Sequence, residues 1–212
     1  VNVFTEEIIR GDIAIQDGII AGIGSFHGKE ERDLAGRYVC PGFIDSHLHL
    51  ESTLVTPAEL VTAASRHGTT TFIVDPHESA NVSGLAGVDY ILDQTENVKA
   101  NVYVMMPSCV PATAIDDNGC TLTAGDMAPY LHNSRILGLG EVMDSISVVQ
   151  GEKSMHDKLE LFEGRIRDGH APFLEEGDLQ AYAMAGIATD HECSFFDYAM
   201  RERRNGLTIL VR

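Results

Sequence analysis

Residues 1–38 show the hydrophobic pattern of a small β structure. Isoleucines and glycines run through the segment DIAIQDGIIAGIG, with Asp17-Gly18 at its centre. Asp-Gly is a favoured two-residue loop of β-hairpins, so the segment predicts two short strands around that turn. A second turn is predicted over 33–37, and an extended piece from Tyr38. So few short strands cannot cover both faces of a sheet, so we interpret the segment as part of a larger β domain.

From residue 39 onward, strand-like apolar runs alternate with helix-like runs. The predicted strands are 42–45, 69–74, 101–106, 136–139, a short run just before His170, 187–189 and 207–211. The predicted helices are 56–68 with Thr56 as its cap, 84–97, 123–132, a face formed by Met155, Leu159, Phe162 and Ile166, 179–185, and 195–204. Such alternation indicates a parallel sheet with right-handed helical crossovers.

Two parallel architectures fit this order of elements. A doubly wound nucleotide-binding sheet should carry a glycine fingerprint after its first strand. Here Gly22 and Gly24 are followed by His27 where the last glycine belongs. Polar residues instead follow nearly every strand, which is where barrel enzymes keep their chemistry. We therefore predict an α/β fold: a (β/α)8 TIM-type barrel over 39–212, truncated before strand 8 and containing about strands 1–7.

The strongest chemical signal is the pair of histidines in His47-Leu48-His49, directly after the first barrel strand. Side chains two positions apart in a strand share a face, so both imidazoles can bind one metal ion. Later strands are followed by Glu141, His170 and His191. Taken singly, each is more often an ordinary surface group, but together they place imidazoles and a carboxylate on one rim. That set suits transition metals, and a carboxylate can bridge two of them.

A second group of polar residues lies beside these strand ends. Glu51, His77, Glu78 and Ser108 are predicted to contact substrate, with capping and turn formation as the alternative for each. Glu141 and Glu192 are predicted to be catalytic. Glu192 follows a candidate ligand directly, so it is either a proton donor or a hydrogen-bond partner of that ligand. The remaining histidines are interpreted as solvated surface: His27, His67, His132 and His156.

The overall charge restricts the partners. The chain of 212 residues has 32 acidic and 15 basic side chains, giving a net charge of -17. A surface this acidic repels phosphate backbones, which argues against a nucleic-acid partner. No apolar run approaches the length of about 18 residues that a membrane span needs. The four cysteines form no CxxC motif, which favours free thiols and a cytoplasmic setting.

Six sequence blocks resemble a known family. In chain order they are PGFIDSHLHLES, HGTTTFIVDPHESANVSG, MMPSCVPAT, LGLGEVM, DGHAP and DHEC. The first block is similar to the first-strand motif of the amidohydrolase superfamily, and the others together resemble its adenine deaminase family. The resemblance extends over essentially the whole chain. It implies a (β/α)8 barrel with a β-sandwich domain built from flanking segments, so 1–38 would be part of that sandwich.

The resemblance also implies a binuclear metal centre. His47 and His49 would hold one ion, Glu141 would bridge, and His170 and His191 would hold the second ion. The cofactors expected from the family are two divalent transition-metal ions, manganese or iron, with zinc as a further option.

The implied reaction is hydrolytic deamination of adenine to hypoxanthine and ammonia, as in purine salvage, with adenine as the small-molecule partner. One alternative is another amidohydrolase reaction on a cyclic amide or an aminated heterocycle. A second is an inactive metal-binding fragment, because the family's metal-binding aspartate after strand 8 would lie beyond Arg212. Whether the protein forms a homo-oligomer stays open.

Overall fold

The computed structural model describes residues 1–113 and 115–211. Its Cα positions group into two compact units, Val1–Gly42 and Phe43–Arg212. Arg212, the last residue of the predicted barrel domain, lies outside the described residues.

The first unit contains the predicted hairpin, which is confirmed. Strand β1 (Asp12–Gln16) pairs with the antiparallel strand β2 (Ile19–Gly24). Asp17 and Gly18 have φ angles of 52° and 77°. A loop with both central residues at positive φ matches the right-handed twist of the flanking strands. Tyr38, where an extended piece is predicted, belongs to no strand of the described residues.

The second unit contains seven strands, all of them in parallel pairs. They are β3 (Phe43–Leu48), β4 (Thr69–Val74), β5 (Asn101–Met106), β6 (Ile136–Val142), β7 (Ile166–Gly169), β8 (Thr189–Asp190) and β9 (Thr208–Ile209). The first five form one sheet in chain order, and β8 and β9 form a second pair. The backbone N–H of Ala188 donates to the carbonyl of Arg167 at 3.0 Å, so β8 lies beside β7.

The five-stranded sheet is curled. His47 on its first edge strand and Asp168 on its last lie 3.0 Å apart, Nδ1 to Oδ2. Strands sit about 4.8 Å apart, so a flat sheet would separate these edges by roughly 19 Å. The sheet therefore closes on itself as part of a barrel, which confirms the predicted incomplete (β/α)8 fold.

Eight α-helices connect the strands in the described residues. They are α1 (Pro57–Ser65), α2 (His77–Ser83), α3 (Leu85–Gln94), α4 (Ala124–Met127), α5 (Ser145–Gln150), α6 (Lys153–Leu161), α7 (Glu176–Met184) and α8 (Phe196–Arg204). Helices α2 and α5 were not predicted. The helical face assigned to Ile166 was also wrong, because α6 ends at Leu161 and Gly164 turns the chain at φ 78°. None of the described helices is long and apolar enough to span a membrane.

The strand β6 places a charge inside the fold. Six of its seven residues are buried, since helices and neighbouring strands cover both faces. Leu139 and Val142 are fully buried there, and Glu141 between them is only 3% exposed. A buried carboxylate needs compensating partners, and these come from the ends of the other strands.

Two threonines precede helices but differ in capping. Thr123 accepts the backbone N–H of Asp126 and donates to its carboxylate, forming a capping box before α4. Thr56 precedes α1 but makes no capping hydrogen bond, so that part of the prediction was wrong. Pro57 occupies the first helical position and leaves one fewer N–H to satisfy.

We expect Thr123→Ala to lower the free energy of unfolding by about 1 kcal/mol, because the cap of α4 is lost. Thr56→Ala is the matched control, and its effect should be near zero. Urea unfolding monitored by circular dichroism measures both. Equal losses in the two variants would contradict the assigned capping.

Candidate metal centre

The five predicted ligands converge at the C-terminal ends of the strands. His47 lies in β3, His49 just follows it, and Glu141 lies in β6; His170 and His191 directly follow β7 and β8. The Nε2 atoms of His47 and His49 are 2.8 and 2.7 Å from Glu141 Oε1. His170 Nδ1 is 3.2 Å from Oε2, and His191 Nε2 is 3.5 Å from Oε1. Four imidazoles thus surround one buried carboxylate.

The outer ring nitrogens of the first two histidines are already bonded. His49 Nδ1 lies 2.8 Å from the backbone carbonyl oxygen of Asp75, and His47 Nδ1 lies 3.0 Å from Asp168 Oδ2. Both partners are acceptors, so each Nδ1 donates and the neutral ring presents a lone pair at Nε2. The two Nε2 atoms are 3.1 Å apart and both face Glu141 Oε1.

This arrangement fits a bound cation. The Nε2 atoms of His47 and His49 and the Oε1 atom of Glu141 are electron-pair donors that face one point, with no hydrogen between them. A positive ion at that point would satisfy all three. The buried atoms Glu141 Oε1, His170 Nδ1 and both ring nitrogens of His191 make no hydrogen bond in the described residues. Native proteins rarely leave buried polar atoms unpaired unless an ion or water completes them.

In the metal-free form, protons take the place of that cation. Burial lowers the pKa of His47, but the adjacent carboxylates of Asp168 and Glu141 outweigh it and raise the pKa to about 10. Burial likewise opposes the rise at His49, whose pKa reaches about 9 through Glu141 and the Asp75 carbonyl. Burial alone would raise the pKa of Glu141, but the surrounding histidines depress it strongly. Metal ions would displace protons from such a site.

Two overlapping ligand groups share the central carboxylate. Potential ligand atoms lie within 4.8 Å of one another in the set His47, His49 and Glu141, and again in the set Glu141, His170 and His191. A carboxylate with two oxygens can bridge two ions about 3.5 to 4 Å apart. The geometry therefore suits two metal positions joined by Glu141.

A comparison with protein families agrees with this geometry. The family model described as "Amidohydrolase family" matches residues 38–209. The chain belongs to the amidohydrolase family. Curated relatives include the adenine deaminases of Desulfitobacterium hafniense, 58% identical over 212 residues, and of Clostridium acetobutylicum, 48% identical over 214 residues. Each match covers 100% of this chain but only 37% or 38% of the relative, so the chain spans little more than a third of their length.

A solved structure supports the fold. The crystal structure of 5-methylcytosine deaminase from Klebsiella pneumoniae superposes with a TM-score of 0.53 at 15% identity. The match covers 93% of this chain and 61% of that one. The incomplete barrel predicted from strand order thus has a counterpart in an experimental structure.

The residues predicted to contact substrate lie at different places in this amidohydrolase. His77 begins α2, and its Nε2 is 3.9 Å from Glu141 Oε1, so it borders the centre. Burial lowers its pKa. Glu51 instead accepts the backbone N–H groups of Glu78 and Ser79, and Ser52 donates to Glu78 at 2.6 Å. Glu51, Glu78 and Ser79 line a cavity of about 390 Å³ that none of the five ligands borders.

Ser108 and Glu192 support or flank the ligands. Ser108 is 1% exposed, and its hydroxyl donates to the backbone carbonyl of Glu141 at 2.5 Å. The buried Lys158 donates to the Ser108 carbonyl at 2.6 Å. These bonds hold the end of β6, and a substrate contact by Ser108 stays a prediction. The carboxylate of Glu192 is 3.7 Å from His191 Nε2, and 27% of its side chain is exposed.

The histidines assigned to the surface mostly lie there. His27, His67 and His132 are exposed. His156 is the exception: it is half-buried in α6, and its Nε2 lies 2.9 Å from the Val148 carbonyl oxygen. His156 is half-buried because the helical spacing that buries Met155 and Leu159 leaves it at the edge of the same face.

Three buried aspartates behind the ligands were not predicted as site residues. Asp75 is 1% exposed, and its Oδ2 accepts the backbone N–H of Glu141 at 2.7 Å. A side chain at Gly140 would collide with this carboxylate, since a Cβ there would lie 2.2 Å from Oδ2. Asp168 contacts His47, and Asp190 binds backbone groups next to two other ligands. The feature of the sequence that could have identified them is an aspartate at the C-terminal end of each of three predicted strands.

A separate acidic cluster lies behind β8. Asp190, Cys193 and Glu202 offer ligand atoms within 4.8 Å of one another, and Glu202 is fully buried with both carboxylate oxygens unpaired in the described residues. Burial raises the pKa of Glu202 to about 8, and Asp190 adds to the rise. Cys193 and Tyr198 also face this carboxyl group. Glu202 is therefore interpreted as a protonated, neutral group at low and neutral pH.

This carboxyl group predicts a pH-dependent stability. Its pKa is higher in the folded state than in the unfolded state, so its contribution is full below the unfolded pKa and is lost as pH rises through about 8. We expect the melting temperature to fall as pH rises from about 5 to about 8, and Glu202→Gln to remove part of that fall, at most about 1.4 kcal/mol for each pH unit of that window. Asp197→Asn, an exposed change on the same helix, is the control. Parallel pH profiles for wild type and Glu202→Gln would contradict the assignment.

Proposed function

We propose that this amidohydrolase catalyses the hydrolytic deamination of adenine to hypoxanthine and ammonia. The observation that carries the proposal is the convergence of four imidazoles on the buried Glu141 at the mouth of a barrel. The relatives named adenine deaminase, identical at up to 58% of positions, supply the substrate. In the reaction the C6–N bond of adenine breaks, a C6–O bond forms from water, and the exocyclic nitrogen leaves as ammonia.

The proposed cofactors are two divalent ions, manganese or iron, because mixed imidazole and carboxylate ligands suit such metals, although zinc fits the same donors. His47 and His49 would hold one ion, His170 and His191 the other, and Glu141 both. When bound, such a pair supplies Lewis acidity and lowers the pKa of water to near neutrality.

Other side chains would handle protons and orient the base. Glu192 stands between a ligand histidine and solvent, which suits a group that passes a proton to the departing nitrogen. His77 borders the centre, and its lowered pKa keeps it neutral, so it can hydrogen-bond a purine nitrogen. Roles in substrate binding for Glu51, Glu78 and Ser108 belong to the same proposal.

The cytoplasm is the proposed setting of the reaction. All four cysteines are free thiols, which is the ordinary state in a reducing cytoplasm. There the free base adenine would be consumed as part of purine salvage. We also propose that residues 1–38 belong to a β-sandwich domain, because isoleucines such as Ile15 and Ile19 are 69% and 70% exposed on the hairpin.

The direct test is ammonia release from adenine after the protein is stripped of metal and refilled with manganese or iron. We expect turnover with either ion and none after chelation. A parallel panel of cyclic amides and aminated heterocycles distinguishes the adenine reaction from other amidohydrolase reactions. Turnover of a cyclic amide but not of adenine would overturn the substrate assignment, and metal binding without any turnover would favour an inactive metal-binding scaffold.

A further inference from the structure

We propose that Asp168 is a positioning residue for the first metal position, holding His47 with its Nε2 directed at Glu141. The inference rests on the proposed two-metal centre and assigns a task to a residue outside its ligand set. Asp168 lies in β7 and is 4% exposed. Its Oδ2 is 3.0 Å from His47 Nδ1, and the other ring nitrogen of His47 is 2.8 Å from Glu141 Oε1. The imidazole is thus held between two carboxylates.

The carboxylate of Asp168 is itself fixed. Its Oδ1 accepts hydrogen bonds from the Thr189 hydroxyl and from the backbone N–H of Gly169, the latter at 3.0 Å. Two donors on one oxygen leave Oδ2 to face His47, and rotation of the group would break both bonds. Thr189 belongs to β8, so the orientation of Asp168 depends on two consecutive strands.

The position of Asp168 in the sheet explains why His47 needs it. His49 is oriented by the Asp75 carbonyl, where β4, the neighbour of β3, ends. Strands β3 and β7 are the two edges of the five-stranded sheet, and no backbone ladder joins them in the described residues. The His47–Asp168 contact crosses that gap and links a side chain of one edge to a side chain of the other. It therefore sets where His47 stands relative to Glu141.

The charge of Asp168 also selects the ring tautomer. A carboxylate accepts at both oxygens, so Nδ1 of His47 donates to it and Nε2 is left free to bind metal. Asparagine at this position cannot do the same. If its oxygen keeps the Thr189 and Gly169 donors, its NH₂ group faces His47 Nδ1. The ring would then carry its hydrogen on Nε2, and that hydrogen would block metal binding there. Asparagine in place of a catalytic-triad aspartate likewise leaves its histidine in the wrong tautomer.

The test is a titration with Mn²⁺ by calorimetry, accompanied by the visible spectrum of the Co²⁺ form. We expect Asp168→Asn to weaken binding at the first position by about 10- to 100-fold, the usual effect of losing an outer-shell partner. The His170→Ala background isolates that position, because the second ion loses a ligand there. Asp178→Asn, an exposed change on α7, is the matched control.

Two milder variants test the same contact if Asp168→Asn does not fold. Asp168→Glu keeps the charge and should retain more affinity than Asp168→Asn. Thr189→Val removes one donor to Oδ1, leaves Oδ2 in place, and should weaken binding roughly threefold. Wild-type affinity and an unchanged Co²⁺ spectrum in Asp168→Asn, or in Thr189→Val if only that variant folds, would overturn the inference. A wild type that binds no metal would instead overturn the proposed function.

Discussion

Glu141→Gln is expected to abolish binding of both proposed metal ions and to lower kcat/KM of the proposed adenine reaction by about a thousandfold. Glu141 is the one side chain that both ligand groups share, so neutralising it weakens both positions at once. Metal ions supply several kcal/mol of transition-state stabilisation, and each 1.36 kcal/mol is about tenfold in rate. Glutamine has nearly the same shape, so the fold around β6 should persist. Metal analysis after dialysis and steady-state ammonia release measure the two effects.

A stability measurement separates loss of metal from loss of fold. Mn²⁺ at about 100 times its Kd should stabilise the wild type by about 2.7 kcal/mol, and it should not stabilise Glu141→Gln. Glu160→Gln, an exposed glutamate on α6, is the matched control and should behave as wild type. Two ions retained by Glu141→Gln would show that Glu141 does not bridge.

The strands could be predicted because short runs of consecutive apolar or β-branched residues have few alternatives. The predicted strands 69–74 and 101–106 coincide with β4 and β5. Helix α2 was missed because its sequence HESANVS is polar and lacks an apolar stripe. The predicted face through Ile166 shows the opposite error, since correct spacing continued past Gly164, where the backbone turns. Periodicity alone does not report where a helix stops.

The ligand residues could be proposed from sequence because the ends of parallel strands meet at one edge. The contacts that orient these ligand residues could not be predicted from sequence. Asp168 and His47 are 121 positions apart, and their meeting depends on the curl of the sheet. Ser108 contacts Glu141 through a backbone carbonyl, which leaves no trace in residue identity. Asp190 also acts through backbone groups, because its carboxylate oxygens accept the N–H groups of Ala171 and Glu192.

His170→Ala is expected to empty the second metal position while the first stays filled. The loop that carries His170 is fixed by its backbone: its N–H donates to the Tyr182 hydroxyl oxygen at 2.9 Å, and the N–H of Ala171 donates to Asp190 at 2.7 Å. The side chain is 28% exposed and makes its ion-pair contact with Glu141 Oε2. Truncation to alanine should therefore remove a ligand without moving the loop.

The bound metal should fall from two ions to one per chain, and turnover in the proposed adenine reaction should drop by about thirtyfold, because the loss of one of two ions removes about half of the charge stabilisation. His132→Ala removes an exposed imidazole and is the matched control. Unfolding of the metal-free variant should match that of the metal-free wild type, since the backbone bonds of the loop remain. Two ions retained by His170→Ala would refute the ligand assignment. Loss of both ions would mean that the first position, held by His47, His49 and Glu141, does not bind metal independently.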